Sequence, residues 1–328
     1  MEHFLIRLGI VGAGSIVQSH IDAAVQTGFH PVVICGKENS ERAKVLSQSN
    51  NGLNYASNLE ELLNHDFDAL LVAVSTQSSV SVLERCTTKN VPILVEKPVA
   101  LNLLQLEKLN KDCSHFIRVG YNRRFYSSVE TFKAEVYEKP GFVQVQIPEI
   151  SSSLRSTKDE KRNALLENSV HTLDLMQYIF GSVTLSNLRA FSVFENVNTV
   201  FTQFHTNFGF EGNLNILFNT PENTSIQYWS EGLKLQLKPL EIFSKSNGME
   251  IIPASTLKPI KTYHHKYSNW NPTLADQIVK PGFLNQYVSF KNFVHGYDSD
   301  QKLATLQDAY AVMELALQIT DNCFPNKA

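Results

Sequence analysis

The sequence contains no long apolar run. Nowhere in its 328 residues do apolar positions approach the roughly 20 in a row that a membrane-spanning helix requires. Cysteine is scarce as well. Cys35, Cys86, Cys113 and Cys323 lie far apart and form no C-x-x-C pair, so the expectation is reduced thiols in a cytoplasmic protein. Net charge is almost absent. The 29 basic and 32 acidic residues leave 29 − 32 = −3, too little to point to nucleic acid or a membrane surface as a partner. Internal repeats and low-complexity tracts are also lacking, and the opening MEHFLIRLGIVGAG runs into a strand without the pattern of a signal peptide.

What is there is an ordinary globular composition, 43% hydrophobic and 19% charged, in a chain long enough for about two domains. Its organising stretch is Val91–Ala100, VPILVEKPVA. Val91, Ile93, Leu94 and Val95 suit a central parallel strand covered on both faces. Glu96 and Lys97 follow at its carboxyl end, the edge where ligands bind in open α/β sheets, and Pro98 stops the ladder because it has no N–H. A lysine in that place either ends a strand in solvent or carries acid–base chemistry. Strand alternation directs the neighbouring Glu96 side chain the other way.

The residues before this stretch spell a dinucleotide fold. An apolar strand over Phe4–Val11 leads into Gly12-Ala13-Gly14, and a helix is expected from Ser15 through Ile16 to Thr27. Strand, glycine turn and helix together give the glycine motif its meaning: Gly12 makes the tight turn and Gly14 lets the backbone approach a pyrophosphate. The third glycine position holds Val17. The next strand, Pro31–Cys35, ends in Gly36-Lys37 where NAD-binding units often carry an acid for the ribose hydroxyls. The missing carboxylate favours NADP over NAD, with Lys37 either pairing the 2′-phosphate or merely solvated. Ser57 and Glu60 form a capping-box pattern. A strand over Phe67–Val74 ends in Ser75-Thr76-Gln77, which either holds a ribose or the nicotinamide end or makes a polar turn. Helices over Val80–Lys89 and Asn102–Lys111 and a strand over Phe116–Gly120 complete a βαβ alternation, hence a doubly wound parallel sheet over residues 1–121.

Residues 122–328 are richer in strand, with runs at 142–150, 184–194, 199–208, 212–218, 225–229 and 233–237 that predict one large, mainly antiparallel sheet. Ser151–Arg162 reads as a polar loop whose Arg155, Lys158, Lys161 and Arg162 are either solvated or cover an anionic substrate. Pro239–Pro281 reads as loop-rich, and Tyr263-His264-His265 within it as a surface feature with no metal-ligand spacing. Two helices close the chain, at 283–294 and 303–320. The helix expected over Glu167–Phe180 carries Glu167, His171, Asp174 and Tyr178 on one stripe at about 100° per residue, with Val170, Leu173, Met176 and Phe180 opposite. That stripe is either a polar surface face or a carboxylate orienting a proton-carrying histidine.

These segments together resemble the glucose–fructose oxidoreductase / inositol dehydrogenase (Gfo/Idh/MocA) family, through GIVGAGSI at 9–16, VEKPVAL at 95–101, GYNRRF at 120–125, ENSVHTLD at 167–174 and GFLNQYVSFKNFVHG at 282–296. The resemblance implies an α/β protein. Its first part is a Rossmann domain, and its second is an α+β domain whose open-faced sheet makes a homodimer or homotetramer, with the C-terminal helix free to pack back on the first. It implies hydride transfer between NADP or NAD and a sugar, sugar acid or nucleotide sugar, with no metal. Its catalytic set falls on Lys97, His171 and Glu167, while the residues themselves set the expected cofactor contacts at Gly12, Ala13, Gly14, Ser15, Ile16, Gly36, Lys37, Ser75, Thr76, Glu96 and Lys97. Asn122, Arg124 and Asp174 are candidate substrate contacts. The chain departs from the family in having Glu167 for the usual Asp, Arg162–Leu166 for a Gly-rich run, and no Pro or downstream His after Val74. Two other activities fit the same resemblance: a sugar–sugar oxidoreductase that retains NADP, and a non-catalytic cofactor-binding or regulatory protein.

Overall fold

The computed structural model describes residues 5–150, 157–193, 196–270, 273–297 and 302–324. The chain divides into two compact units, Met1–Phe125 with Leu274–Glu314 and Tyr126–Thr273 with Leu315–Ala328.

Six parallel strands build the first unit: β1 (Ile6–Val11), β2 (Phe29–Cys35), β3 (Asn54–Tyr55), β4 (Ala69–Val72), β5 (Ile93–Val95) and β6 (Ile117–Val119). They lie in the order β3-β2-β1-β4-β5-β6. Leu8, Ile10, Ile34, Leu71, Val72, Ile93 and Leu94 are fully buried. Their strands read as unbroken apolar runs because crossover helices cover both faces of the sheet. The crossovers are α1 (Val17–Gln26), α2 (Glu41–Ser49), α3 (Leu59–Leu63), α4 (Thr76–Cys86) and α5 (Leu103–Cys113). Winding reverses at β1 and β4, so a crevice opens over their carboxyl ends.

Two local expectations change. The cap of α3 is Asn58, whose side chain accepts the Glu61 N–H, while Glu61 accepts from the backbone and hydroxyl of Ser57. The capping pair therefore sits one residue later than Ser57 and Glu60. Helix α4 begins at Thr76 rather than Val80, because the polar Ser75-Thr76-Gln77 supplies a helix start, not a turn.

The motif at 282–296 also belongs to this unit. Helix α10 (Phe283–Val294), which follows the short α9 (Leu274–Ile278), packs on α1. Phe283, Tyr287 and Phe290 enter the same core as Ile21, Ala24 and Phe29. Phe29 stacks on Phe290 at 5.6 Å and meets Tyr287 edge-on at 5.5 Å.

The second unit is an eight-stranded sheet in the order β14-β13-β12-β11-β7-β10-β9-β8. Its strands are β7 (Phe142–Glu149), β8 (Val183–Val193), β9 (Asn196–Thr206), β10 (Glu211–Phe218), β11 (Ser225–Ser230), β12 (Leu233–Leu237), β13 (Phe243–Ile252) and β14 (Thr262–Trp270). All pairs are antiparallel except β7 with β10. Val143, Val145, Leu214, Ile216, Tyr228 and Leu235 form the buried face. Helices α6 (Ser127–Val136) and α8 (Val170–Phe180) bury their apolar residues in the same unit, where Phe132 meets Phe180 and Phe243 edge-on. On the opposite face Gln236, Gln227, Gln144, Asn213 and Gln203 stand in register across five strands. The residues expected as loop at 239–281 instead contain β13, β14 and α9. These strands are hidden because β13 is mostly exposed over its second half and shows no two-residue alternation. His264 and His265 lie on β14 and are exposed. Among the described residues no helix is long and apolar enough to cross a membrane.

Phe132 is fully buried between two aromatic rings, so Phe132→Ala should cost about 3–5 kcal/mol, read as a lowered urea midpoint. A loss below about 1 kcal/mol would show that the helix does not close this core.

Candidate active site

The crevice over β1 and β4 is a cavity of about 720 Å³ in the first unit. Its floor is the turn after β1. Gly12 has φ +119°, and a Cβ there would lie 2.0 Å from the Ala73 carbonyl oxygen. Only glycine lets these two turns approach so closely. The Gly12 N–H donates to the Cys35 carbonyl at 2.8 Å, tying the turn to the end of β2. Ala13, Gly14, Ser15 and Ile16 continue the lining. A Cβ at Gly14 would meet nothing within 4 Å, so glycine here keeps space open rather than relieving a clash. Helix α1 starts at the cavity with Ile16 as N-cap, no side-chain cap and no acid in its first turn. The Val17 N–H turns back to the Gly14 carbonyl at 3.2 Å, and the positive dipole end of the helix faces the cavity without a side-chain cap or an acid to neutralise it. Glycine floor, helix N-terminus and volume fit a dinucleotide.

At the β2 end, Gly36 and Lys37 line the cavity as expected, together with Glu38, Ser40, Arg42, Asn58 and Arg85. A Cβ at Gly36 would lie 2.5 Å from Ser40, so an acidic side chain cannot occupy this position without moving the loop. Arg85 pairs with Glu60. Among the described residues Lys37 and Arg42 make no ion pair, and Glu38 is the acid that lines the cavity at this end. Arg42 escaped the sequence reading, although its place in the first turn of α2, close after Lys37, was the available signal.

At the β4 and β5 end the lining is Ala73, Val74, Ser75, Ser78, Glu96 and Lys97. Ser75 bonds Ser78 through their hydroxyls at 3.3 Å, while Thr76 lies within the helix and does not line the cavity. Glu96 and Lys97 both line it. The strand ends at Val95, so the alternation that governs a pleated strand no longer applies to them. One Glu96 carboxylate oxygen lies 3.0 Å from Nε2 of the fully buried His20. His20 also escaped notice, yet it occupies the apolar stripe Val17, Ile21, Ala24 of α1, where a histidine is out of character.

Asn122 and Arg124 are buried and do not line this cavity. The Asn122 amide donates to the Pro281 carbonyl at 3.0 Å, and Arg124 lies 3.6 Å from Asp308. Both pair with residues of the later segment of the first unit.

In the second unit the polar stripe is rearranged. A continuous helical run passes from α7 (Lys158–Ala164) through one π-turn (Leu165–Ser169) into α8. Residues 158–162, expected in a loop, form most of α7, started by a capping box between Thr157 and Glu160. Lys161 is buried, with its amine on the Val197 carbonyl at 2.6 Å, and burial lowers its pKa. Arg162 pairs with Asp321. Neither is a mobile cover, and Arg155 lies outside the described residues. Glu167 sits inside the π-turn, whose wider i→i+5 pattern breaks the 100° spacing to His171. Asp174 is fully buried, so its carboxylate is not offered to solvent. Tyr178 carries the Lys133 amine 3.3 Å from its ring centre. His171 and Glu167 are half-buried, and Val170, Leu173, Met176 and Phe180 are in the core.

Residues 6–115 match the model of an oxidoreductase family with an NAD-binding Rossmann fold, GFO_IDH_MocA. The rhizopine catabolism protein MocA of Rhizobium meliloti is 24% identical over 187 residues, 53% of this chain and 57% of its own length. An inositol 2-dehydrogenase of Corynebacterium glutamicum is 27% identical over 192 residues, 55% of this chain and 56% of its own. The chain thus spans about half the length of the curated relatives it matches. A UDP-N-acetylglucosamine 3-dehydrogenase from Acidithiobacillus ferrooxidans superposes with a TM-score of 0.74 at 15% identity over 97% of each chain, a likeness of fold.

The two glycines of the floor should separate in experiment. Gly14→Ala should leave the melting temperature within about 2 °C and weaken dinucleotide binding at least about tenfold, whereas Gly12→Ala should lower both, by a positive-φ and close-contact cost of about 1–3 kcal/mol. Equal binding by Gly14→Ala and wild-type protein in a calorimetric titration would show that the floor is not the pyrophosphate site.

Proposed function

We propose that this chain, whose residues 6–115 match the Gfo/Idh/MocA oxidoreductase model, is a member of that family and moves a hydride between a nicotinamide dinucleotide and a carbon bearing a hydroxyl or carbonyl group on a sugar, sugar acid or nucleotide sugar. The observation that carries this reading is the cavity itself: a glycine floor at the N-terminus of α1, basic residues at the β2 end, and Glu96-Lys97 at the other. The bound nicotinamide supplies the hydride donor or acceptor. Lys97 takes the proton from the substrate hydroxyl in oxidation and returns it in reduction. His171 is the second proton-handling group, and Glu167 orients it and selects its tautomer. The π-turn carries Glu167 in place of the shorter aspartate of the family pattern, which is compatible with an altered reach. Residues 1–121 act as the dinucleotide domain and 122–328 as the substrate and oligomerisation domain, with 282–296 packed in the first unit. Two copies pair through the sheet face that presents Gln144, Asn213, Gln227 and Gln236.

The cofactor is assigned as NADP. A side chain at Gly36 would collide with Ser40, and Lys37 and Arg42 offer two cations for a 2′-phosphate where Glu38 is the acid of the lining at that end. Arg42→Ala should weaken NADP at least about tenfold and leave NAD within about twofold, the worth of one charge-assisted bond. Loss of both alike would return the assignment to NAD. For the reaction, wild-type protein is screened by thermal shift with NAD, NADP and a panel of sugars, polyols and nucleotide sugars, then assayed by nicotinamide absorbance. Lys97→Met should keep cofactor affinity and lose about 10²–10⁴-fold in turnover. Full turnover in that variant would remove Lys97 from the chemistry.

A further inference from the structure

A chain of polar groups runs through the core of the first unit and ends in the cavity. His20 on α1 has no exposed surface. Its Nδ1 lies 3.2 Å from the Tyr287 hydroxyl on α10, and its Nε2 lies 3.0 Å from Oε1 of Glu96 beyond β5. The ring is wedged edge-on against Phe283 at 4.7 Å and Tyr287 at 5.8 Å. Burial, and then the charge of Glu96, hold the Tyr287 pKa well above its ordinary value, so its hydroxyl keeps its proton. A protonated phenol that donates to Nδ1 leaves the imidazole proton on Nε2, which donates to the carboxylate. Tyrosine, histidine and glutamate are then linked donor to acceptor in one direction. Packing alone does not call for such a chain, since apolar side chains of similar volume would fill the same space without desolvating three polar groups.

The chain's far end is a carboxylate that lines the cavity, with 15% of its side chain exposed. Among the described residues its other oxygen receives the long 3.3 Å contact from the Lys97 N–H. Gly120 leaves room for it, because a Cβ there would come 3.1 Å from Oε1. The lining fixes which part of a dinucleotide arrives here. Lys37 and Arg42 mark the adenosine end and the N-terminus of α1 the diphosphate, so the nicotinamide nucleoside extends to Glu96. Both donor types of that half, ribose hydroxyls and the carboxamide N–H₂, suit an all-acceptor carboxylate.

The structure assigns to His20 and Tyr287 a positioning role: they hold the Glu96 carboxylate in the orientation that binds the nicotinamide-nucleoside half of the cofactor. This rests on the cavity being the dinucleotide site. The test is a calorimetric titration of full-length protein with NADP and, separately, with ADP, which has the adenosine and diphosphate but no nicotinamide nucleoside. His20→Asn keeps an amide near Nδ1 and withdraws the donor from Glu96. His20→Gln returns an amide nitrogen to the Nε2 position. Tyr287→Phe removes one oxygen from a packed ring. NADP affinity should fall at least about tenfold in His20→Asn and about threefold in Tyr287→Phe, recover to within about threefold in His20→Gln, and leave ADP within about twofold throughout. Should His20→Asn fail to fold, Tyr287→Phe decides on the same two ligands. Equal losses for NADP and ADP, or no loss of NADP, would make the chain a structural tie only and overturn the proposal. If wild-type protein binds neither NADP nor NAD, the reading of the cavity fails first and the proposal with it.

Discussion

The first unit depends on how closely the turn after β1 approaches the turn after β4. A Cβ at Gly12 would sit 2.0 Å from the Ala73 carbonyl oxygen, so these strands can be neighbours at their carboxyl ends only while residue 12 has no side chain. That contact brings the N-terminus of α1 over the strand ends and aligns Ser75, Glu96 and Lys97 with it around one cavity. The order β3-β2-β1-β4-β5-β6 supplies the crevice, but the glycine sets its depth. Gly14 has the complementary role, since its missing side chain serves a ligand and not the fold.

The parts of this arrangement that were legible in the sequence are those where a local rule and the global fold agree. Buried parallel strands are apolar on both faces, so β1, β2, β4 and β5 announced themselves, and so did Gly12–Ile16 and the Glu96-Lys97 pair at the strand ends. The capping position of α3 slipped by one residue because Asn58 and Ser57 are both competent caps, and only the Glu61 contact separates them. Strands β13 and β14 went unseen because exposure on both faces erases the two-residue period. Arg42, Asn58 and Arg85 reach the cavity from three different helices or their caps, a convergence that no spacing within the sequence expresses.

The second unit shows how one turn redirects a site. A regular helix from 158 to 180 would put Glu167 and His171 on one face and leave Asp174 near it. The π-turn at Leu165–Ser169 adds a residue to one turn, so the face predicted from the α-helical period holds only beyond it. The core side of α8 follows the α-helical period, because Val170, Leu173, Met176 and Phe180 all lie after the turn. The polar side does not, because Asp174 shares in the burial that surrounds this helix almost completely.

Each unit sets a carboxylate just where a strand gives out, half-buried in the first and almost wholly buried in the second, and each uses it to fix a helix that bears candidate site residues. Glu96, after β5, is bonded by His20 and so holds α1, whose first turn meets the cavity. Glu149, the last residue of β7 and almost wholly buried, accepts from the Ser169 hydroxyl and, at 3.4 Å, from the Asn168 amide, the residues that close the π-turn behind Glu167. Desolvating a carboxylate is costly, and a hydrogen bond offsets that cost only when its geometry is held. The arrangement therefore ties each helix position to a hydrogen bond: a shift of α1 would take the donor from a half-buried carboxylate, and a shift of the π-turn would take it from a buried one. Apolar packing alone yields when a side chain changes rotamer, whereas a carboxylate bonded in the core resists displacement in a defined direction. Both anchors lie beside residues whose proposed roles depend on orientation, Lys97 in one unit and Glu167 in the other.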